Sequence, residues 1–240
     1  MNFTVPVIGA GGASIAERWR AVRAAVDEAC VHSGRAPADV TIVAVSKLHP
    51  AGAIDEVVAA GATDVGENYV QELVGKQAVV RATPRWHFIG RLQRNKARLI
   101  AGKVALVHAV DSLDLAAELG KRALGAGVVQ PILAAVNVGG EAQKTGVAPA
   151  DAPAFVDAVR AIAGVRLDGL MTMPPPADDP EEVRPAFTAL RELRDRLATA
   201  ASPLPHLSMG MSHDFAVAIA CGATLVRIGT AIFGERPADA

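Results

Sequence analysis

Short, continuously apolar runs recur along this chain, each followed by a stretch of helical periodicity, and that alternation limits the fold more than any other feature. The runs are VTIVAVSK (40–47), DVGE (64–67), WHFIG (86–90), ALVHAV (105–110), PILAAVNV (131–138), LDGLMTM (167–173), HLSMG (206–210) and TLVRIGT (224–230). Helices are predicted near 51–60, 69–82, 93–102, 113–124, 149–163, 180–200 and 213–221. An opening helix lies in 14–34, where Ile15, Trp19, Val22 and Val26 share a face and Gly34 is the stop. Runs that are apolar throughout, not alternating, are what parallel strands covered by helices require. Eight such units predict an α/β fold, a single (β/α)8 TIM barrel. A doubly wound open sheet usually carries a glycine fingerprint after its first strand, and SKLHP (46–50) is not one.

A chain of 240 residues, 51% hydrophobic and 20% charged, suits one barrel domain over 1–240, with a flexible lead expected at 1–13. With 24 Lys plus Arg against 25 Asp plus Glu, the surface gives no reason to expect a nucleic-acid or acidic-membrane partner. Cys30 and Cys221 stand in no metal-ligand spacing and read as reduced core thiols. The start lacks a signal peptide's basic and apolar regions, and no stretch reaches the roughly 20 apolar residues of a membrane span. A cytoplasmic protein is expected, monomeric or weakly dimeric. PPPADDPEE (174–182) reads as a stiff loop leading into a helix.

Active sites of such barrels lie at the carboxyl ends of the strands. The polar residues there are Lys47, Glu67, Asn68, His87, His108, Asp111, Asn137, Ser208, Arg227 and Thr230. Arg227 stands inside an apolar run, where a guanidinium is costly unless paired or hydrogen-bonded. It is either half of an ion pair with Glu67 or Asp111, or a donor aimed at a ligand in the barrel mouth. LSMGMSHDF (207–215) and RIGT (227–230) add two glycine-containing strand ends, with Ser212 where a helix would start and Asp214 in its first turn. Gly210 and Gly229 let backbone amides approach a ligand, and the last two strand ends of a barrel commonly hold phosphate. A lysine ending the first strand, an arginine in the eighth and a phosphate cradle match the aldehyde, ring nitrogen and phosphate of pyridoxal 5′-phosphate.

Together AVSKLHP, GENYVQE, WHFIGRLQRNK, VNVGGEAQKTG, GLMTMPP, LSMGMSHDF and RIGTAIFGER resemble the YggS/PROSC family of pyridoxal phosphate homeostasis proteins, in order from about residue 40 to 236. The resemblance implies a barrel of the alanine racemase N-terminal type, without the racemases' second β-domain. It implies pyridoxal phosphate held as an aldimine on Lys47, in a carrier role toward PLP-dependent apo-enzymes with no dedicated catalysis. It implies Asn68 in the pocket wall, Ser208, Gly229 and Thr230 on the phosphate, and Arg227 at the ring nitrogen. Met209 and Ser212 are further members of that set. His87 and Asn137 are weaker candidates, because a satisfied internal hydrogen bond is the commoner fate of such groups.

Two details depart from the family pattern. Arg91 and Arg94 stand where proline and serine are frequent and join Lys96 and Arg98 in a basic cluster, either a solvated face or an anion site. His213, beside the proposed phosphate, is also unusual. The alternative function is a PLP-dependent racemase, which needs a second acid/base opposite the lysine; the one tyrosine is Tyr69, just after the second strand. A Schiff-base aldolase would place its lysine on a later strand. A cofactor-independent interaction protein leaves Lys47, Arg227 and the glycine pair coincidental.

Overall fold

The computed structural model describes residues 12–139, 146–175 and 177–235. Among them eight parallel strands pair in chain order and close into a barrel: β1 (Thr41–Val45), β2 (Asp64–Glu67), β3 (Arg85–Phe88), β4 (Leu106–Val110), β5 (Gln130–Ala135), β6 (Val165–Met171), β7 (His206–Ser208) and β8 (Leu225–Ile228). β8 closes on β1 with Val43 opposite Arg227 and Ala44 opposite Ile228. This is the architecture the eight apolar runs predict.

Helices α1 (Ile15–His32), α2 (Ala51–Ala59), α3 (Val70–Val79), α4 (Ala97–Ile100), α5 (Leu113–Gly125), α6 (Ala152–Arg160), α7 (Arg184–Leu197), α8 (Phe215–Ala220) and α9 (Thr230–Phe233) accompany the strands. α1 starts on a capping box in which the Ser14 hydroxyl accepts from Glu17 N and the Glu17 carboxylate accepts from Ser14 N. Its buried Trp19, Val22 and Val26 join the apolar sleeve between helices and strands. A smaller cluster of Val43, Leu106, Leu133, Ala135, Met171 and Leu225 forms the apolar part of the lumen. None of the described helices is long and apolar enough to cross a membrane.

Three boundaries differ from expectation. The helix predicted over 93–102 shrinks to a 3-10 turn at Arg94–Lys96 and the single turn of α4, where Ala97 and Ile100 are the buried residues. α8 starts at Phe215, since the Asp214 carboxylate accepts from Met211 N and closes a turn that leaves Ser212 ahead of the helix. β8 ends at Ile228, and Thr230 opens the short α9 instead of finishing the strand. Residues 1–11 of the expected flexible lead, and 140–145 of VNVGGEAQKTG, lie outside the described residues.

Candidate functional site

Lys47 follows β1 by two residues and is partly buried, and the backbone on both sides of it is held from α3. The Ser46 carbonyl accepts from Lys76 Nζ at 2.7 Å, and the Ser46 hydroxyl donates to Glu67 Oε1 at 2.5 Å. On the other side Leu48 N donates to Glu72 Oε1 at 2.6 Å, with Leu48 itself in the left-handed region at φ 64°. Lys76 Nζ joins the two carboxylates, 2.7 Å from Glu67 Oε1 and 2.9 Å from Glu72 Oε1. Burial pushes the Glu67 carboxyl up to about 7, against the pull of Lys76 and Ser46. Glu67 therefore faces α3 and braces the Lys47 turn; of the two readings of Arg227, the ion pair with Glu67 or Asp111 does not form. Lys76 and Glu72 carry this brace without having been singled out in the sequence, although their i,i+4 spacing on α3 is visible there.

Arg227 is 5% exposed, in the lumen beside Ser208. Its Nη1 donates to Ser208 Oγ at 2.6 Å and its Nη2 to the Thr172 carbonyl at 3.1 Å. No described carboxylate forms a salt bridge with it, and burial lowers its pKa to about 10 while Asp214 pulls the other way. Two of the five guanidinium N–H groups are thus used, leaving donors for a ligand.

Behind Ser208 runs a second feature that strand positions alone do not reveal. His108 Nδ1 lies 2.8 Å from Ser208 Oγ, His108 Nε2 lies 2.9 Å from His87 Nδ1, and His87 Nε2 lies 2.7 Å from Asp64 Oδ1. Both imidazoles are at most 1% exposed. His87 is therefore a satisfied internal group and not a residue of the mouth. Asn137 follows β5, with its backbone N–H on the Val147 carbonyl.

At the rim, Gly210 has φ 93°, and a Cβ there would lie 2.5 Å from that of Ala218, so only glycine fits this turn. Met209 is fully buried beneath it, Ser212 and Gly229 are partly buried, and Thr230 is exposed. Gly229 packs against Val45, placing the β8 end beside the strand that carries Lys47. The backbone N–H groups of Ser212, Gly229 and Thr230 meet no protein acceptor among the described residues. Asn68 Oδ1 is buried and likewise has no hydrogen-bond partner. An anionic, hydrogen-bonding ligand with an aldehyde fits this donor set: an amine just after β1, a buried guanidinium on β8, and unsatisfied backbone donors after β7 and β8.

A cavity of about 610 Å³ opens on the β2–β4 side of the mouth, lined by Asn68, Tyr69, Arg91, Arg94, Lys96 and Asp111 among others, but not by Lys47 or Arg227. Arg91, Arg94 and Arg98 are exposed and Lys96 partly so, with Arg94 3.9 Å from Asp114. His213 is exposed and its Nε2 lies 3.2 Å from the Asp178 carbonyl.

This barrel, with its amine and guanidinium on adjoining strands, is of the class found in amino-acid racemases: residues 14–237 match the family model described as alanine racemase, N-terminal domain. Alanine racemase from Corynebacterium glutamicum shares the fold, with a TM-score of 0.71 at 17% identity, over 94% of this chain and 62% of that one. More similar relatives narrow the assignment. Proteins named pyridoxal phosphate homeostasis protein are 46% identical in Aquifex aeolicus, over 92% of this chain and 97% of that protein, and 46% identical in Pseudomonas aeruginosa, over 93% and 96%. PipY of Synechococcus elongatus, solved with PLP bound, has a TM-score of 0.80 at 36% identity, over 92% of this chain and all of PipY. The chain belongs to the pyridoxal phosphate homeostasis protein family.

Proposed function

We propose that this protein binds pyridoxal 5′-phosphate to store and hand it on, with no dedicated catalysis. The observation that carries the reading is Arg227: a buried guanidinium in a salt bridge with no described carboxylate, on the strand beside the one that Lys47 follows by two residues. When bound, the cofactor supplies an aldehyde open to an amine and an electron-withdrawing ring. Lys47 is the amine, held by a turn whose flanking residues are fixed from α3. Asn68, with its unsatisfied buried oxygen, lines the pocket, and Met209, fully buried in the apolar sleeve, supports the turn after β7 from below. Ser212, Gly229 and Thr230 supply donors for the phosphate.

Arg227 is the residue that favours holding over turnover. Even with its pKa lowered to about 10 it keeps its proton near neutrality, so it offers the ring nitrogen a hydrogen bond and not a proton. A racemase would also need an acid/base group on the face opposite Lys47. Tyr69 is 52% exposed at the start of α3 and lines the side cavity instead. Apo-enzymes that use the cofactor are the proposed recipients.

The test is an absorbance spectrum of the protein with added pyridoxal phosphate, before and after borohydride, followed by peptide mapping. A visible band that borohydride removes, leaving the cofactor's mass on the Lys47 peptide, is the expected result. No band and no adduct would overturn the reading.

A further inference from the structure

The chain Asp64–His87–His108–Ser208–Arg227 crosses the barrel from β2 through β3 and β4 to β7 and β8, with successive heavy-atom distances of 2.7, 2.9, 2.8 and 2.6 Å. Each member is at most 5% exposed. Such a chain has a direction, because a neutral imidazole donates from one nitrogen and accepts at the other. The ends set that direction. The Asp64 carboxylate can only accept, and it also takes the Thr63 hydroxyl at 2.7 Å. Burial works against that carboxylate, but the bonds from His87 and Thr63 prevail and its pKa lies below the ordinary value.

His87 Nε2 therefore carries a proton for Asp64; a ring with that one proton has Nδ1 as an acceptor. His108 Nε2 must then donate to it, so His108 Nδ1 is bare and takes the hydroxyl proton of Ser208. At the other end Arg227 Nη1 can only donate, and it does so to Ser208 Oγ. With both rings neutral, this is the one order of protons that satisfies all four bonds. It commits the Ser208 proton inward, away from the mouth.

We infer that Ser208 is a positioning residue: the Asp64–His87–His108 chain makes its oxygen an acceptor that fixes Arg227, and it does not hold the ligand's phosphate. Thr172 completes the fixation through its carbonyl, so two guanidinium nitrogens are tied to β7 and to the end of β6. The inference rests on the proposed cofactor reading for its consequence, but not for its proton order. If His87 instead carried both protons, His108 would reverse, its Nδ1–H would point at Ser208 and the hydroxyl proton would be released. The two orders are distinguishable by the protonation of four ring nitrogens.

The experiment is ¹⁵N NMR of the full-length, histidine-labelled protein without added cofactor. Expected are Nε2-protonated, Nδ1-bare rings for both His87 and His108; a protonated His108 Nδ1 or a doubly protonated His87 overturns the inference. Ser208→Ala and Ser208→Thr then supply the functional arm. Loss of the hydroxyl should shift the absorbance maximum of bound pyridoxal phosphate and weaken its binding about tenfold, the scale of one hydrogen bond to a charged group. Competition by inorganic phosphate should be unchanged, and Ser208→Thr should restore the wild-type spectrum. Weaker inorganic phosphate binding in Ser208→Ala, with the spectrum unmoved, would make Ser208 a phosphate ligand and end the positioning role. Failure of the wild-type protein to bind pyridoxal phosphate would strike the proposed function, while the ring protonation would still decide the proton order.

Discussion

Lys76 donates to the carbonyl of Ser46 at 2.7 Å, so an ammonium on α3 holds the residue immediately before Lys47. The same nitrogen bridges Glu67 and Glu72, whose Oε1 atoms hold the Ser46 hydroxyl and the Leu48 amide. Lys76→Met keeps most of the side chain's volume but leaves the fully buried Glu67 without its countercharge. A stability loss of about 3–5 kcal/mol is expected at pH 8. It should shrink toward pH 5, where Glu67 can take up a proton. Urea unfolding at both values checks this, and the Leu48 amide should exchange faster in the variant.

Lys47→Ala separates the amine from the rest of the site. The borohydride-stable adduct should vanish. Non-covalent binding should persist, weakened at least about tenfold, because the donors of Arg227, Ser212, Gly229 and Thr230 remain. Equilibrium dialysis with pyridoxal phosphate and competition by inorganic phosphate measure the residue of binding. An adduct that survives the substitution would remove Lys47 from its role.

The barrel was legible because its strands are buried on both faces: VTIVAV and ALVHAV are apolar but for Thr41 and His108, and eight such runs alternate with helices. Lys47 and Arg227 were legible for the opposite reason, each being a charge that its apolar run does not explain. The register between strands is not written in the sequence, so nothing marked Asp64, His87 and His108 as one hydrogen-bonded line. Whether Glu67 would pair with Arg227 stayed open, because its position at a strand end says nothing about which face it takes. Its partner Lys76 comes from the packing of α3 on the β1 turn, a tertiary contact.

His108 makes stability depend on pH with a defined sign. Burial, then the neighbouring Arg227 guanidinium among other basic groups, holds its pKa well below 6.5. Below pH 6.5 the unfolded chain takes up a proton that the folded protein refuses, so stability falls as pH falls, by up to about 1.4 kcal/mol per pH unit, until the folded pKa is reached. Glu67 acts oppositely between 4.5 and about 7, where the fold holds a proton the unfolded chain has lost. The two are separated by comparing wild type with His108→Gln. The difference in unfolding free energy, wild type minus variant, should decline below pH 6.5; a flat difference would mean that His108 titrates freely in the fold.

Arg227 sets function against stability. Its guanidinium is desolvated in the barrel, and its partners among the described residues are a hydroxyl and a carbonyl, with no described carboxylate to repay the burial of charge. Arg227→Met fills similar space with an apolar chain beside Val43 and Leu225, which already line the lumen. The cost is one unsatisfied carbonyl at Thr172, about 1–3 kcal/mol, against relief of a desolvation penalty of several kcal/mol. The unfolding midpoint in urea is therefore expected to equal or exceed that of wild type, while affinity for pyridoxal phosphate falls. A midpoint well below wild type would mean that the guanidinium is there to hold the barrel together, and the case for a ligand-directed Arg227 would lose its main support.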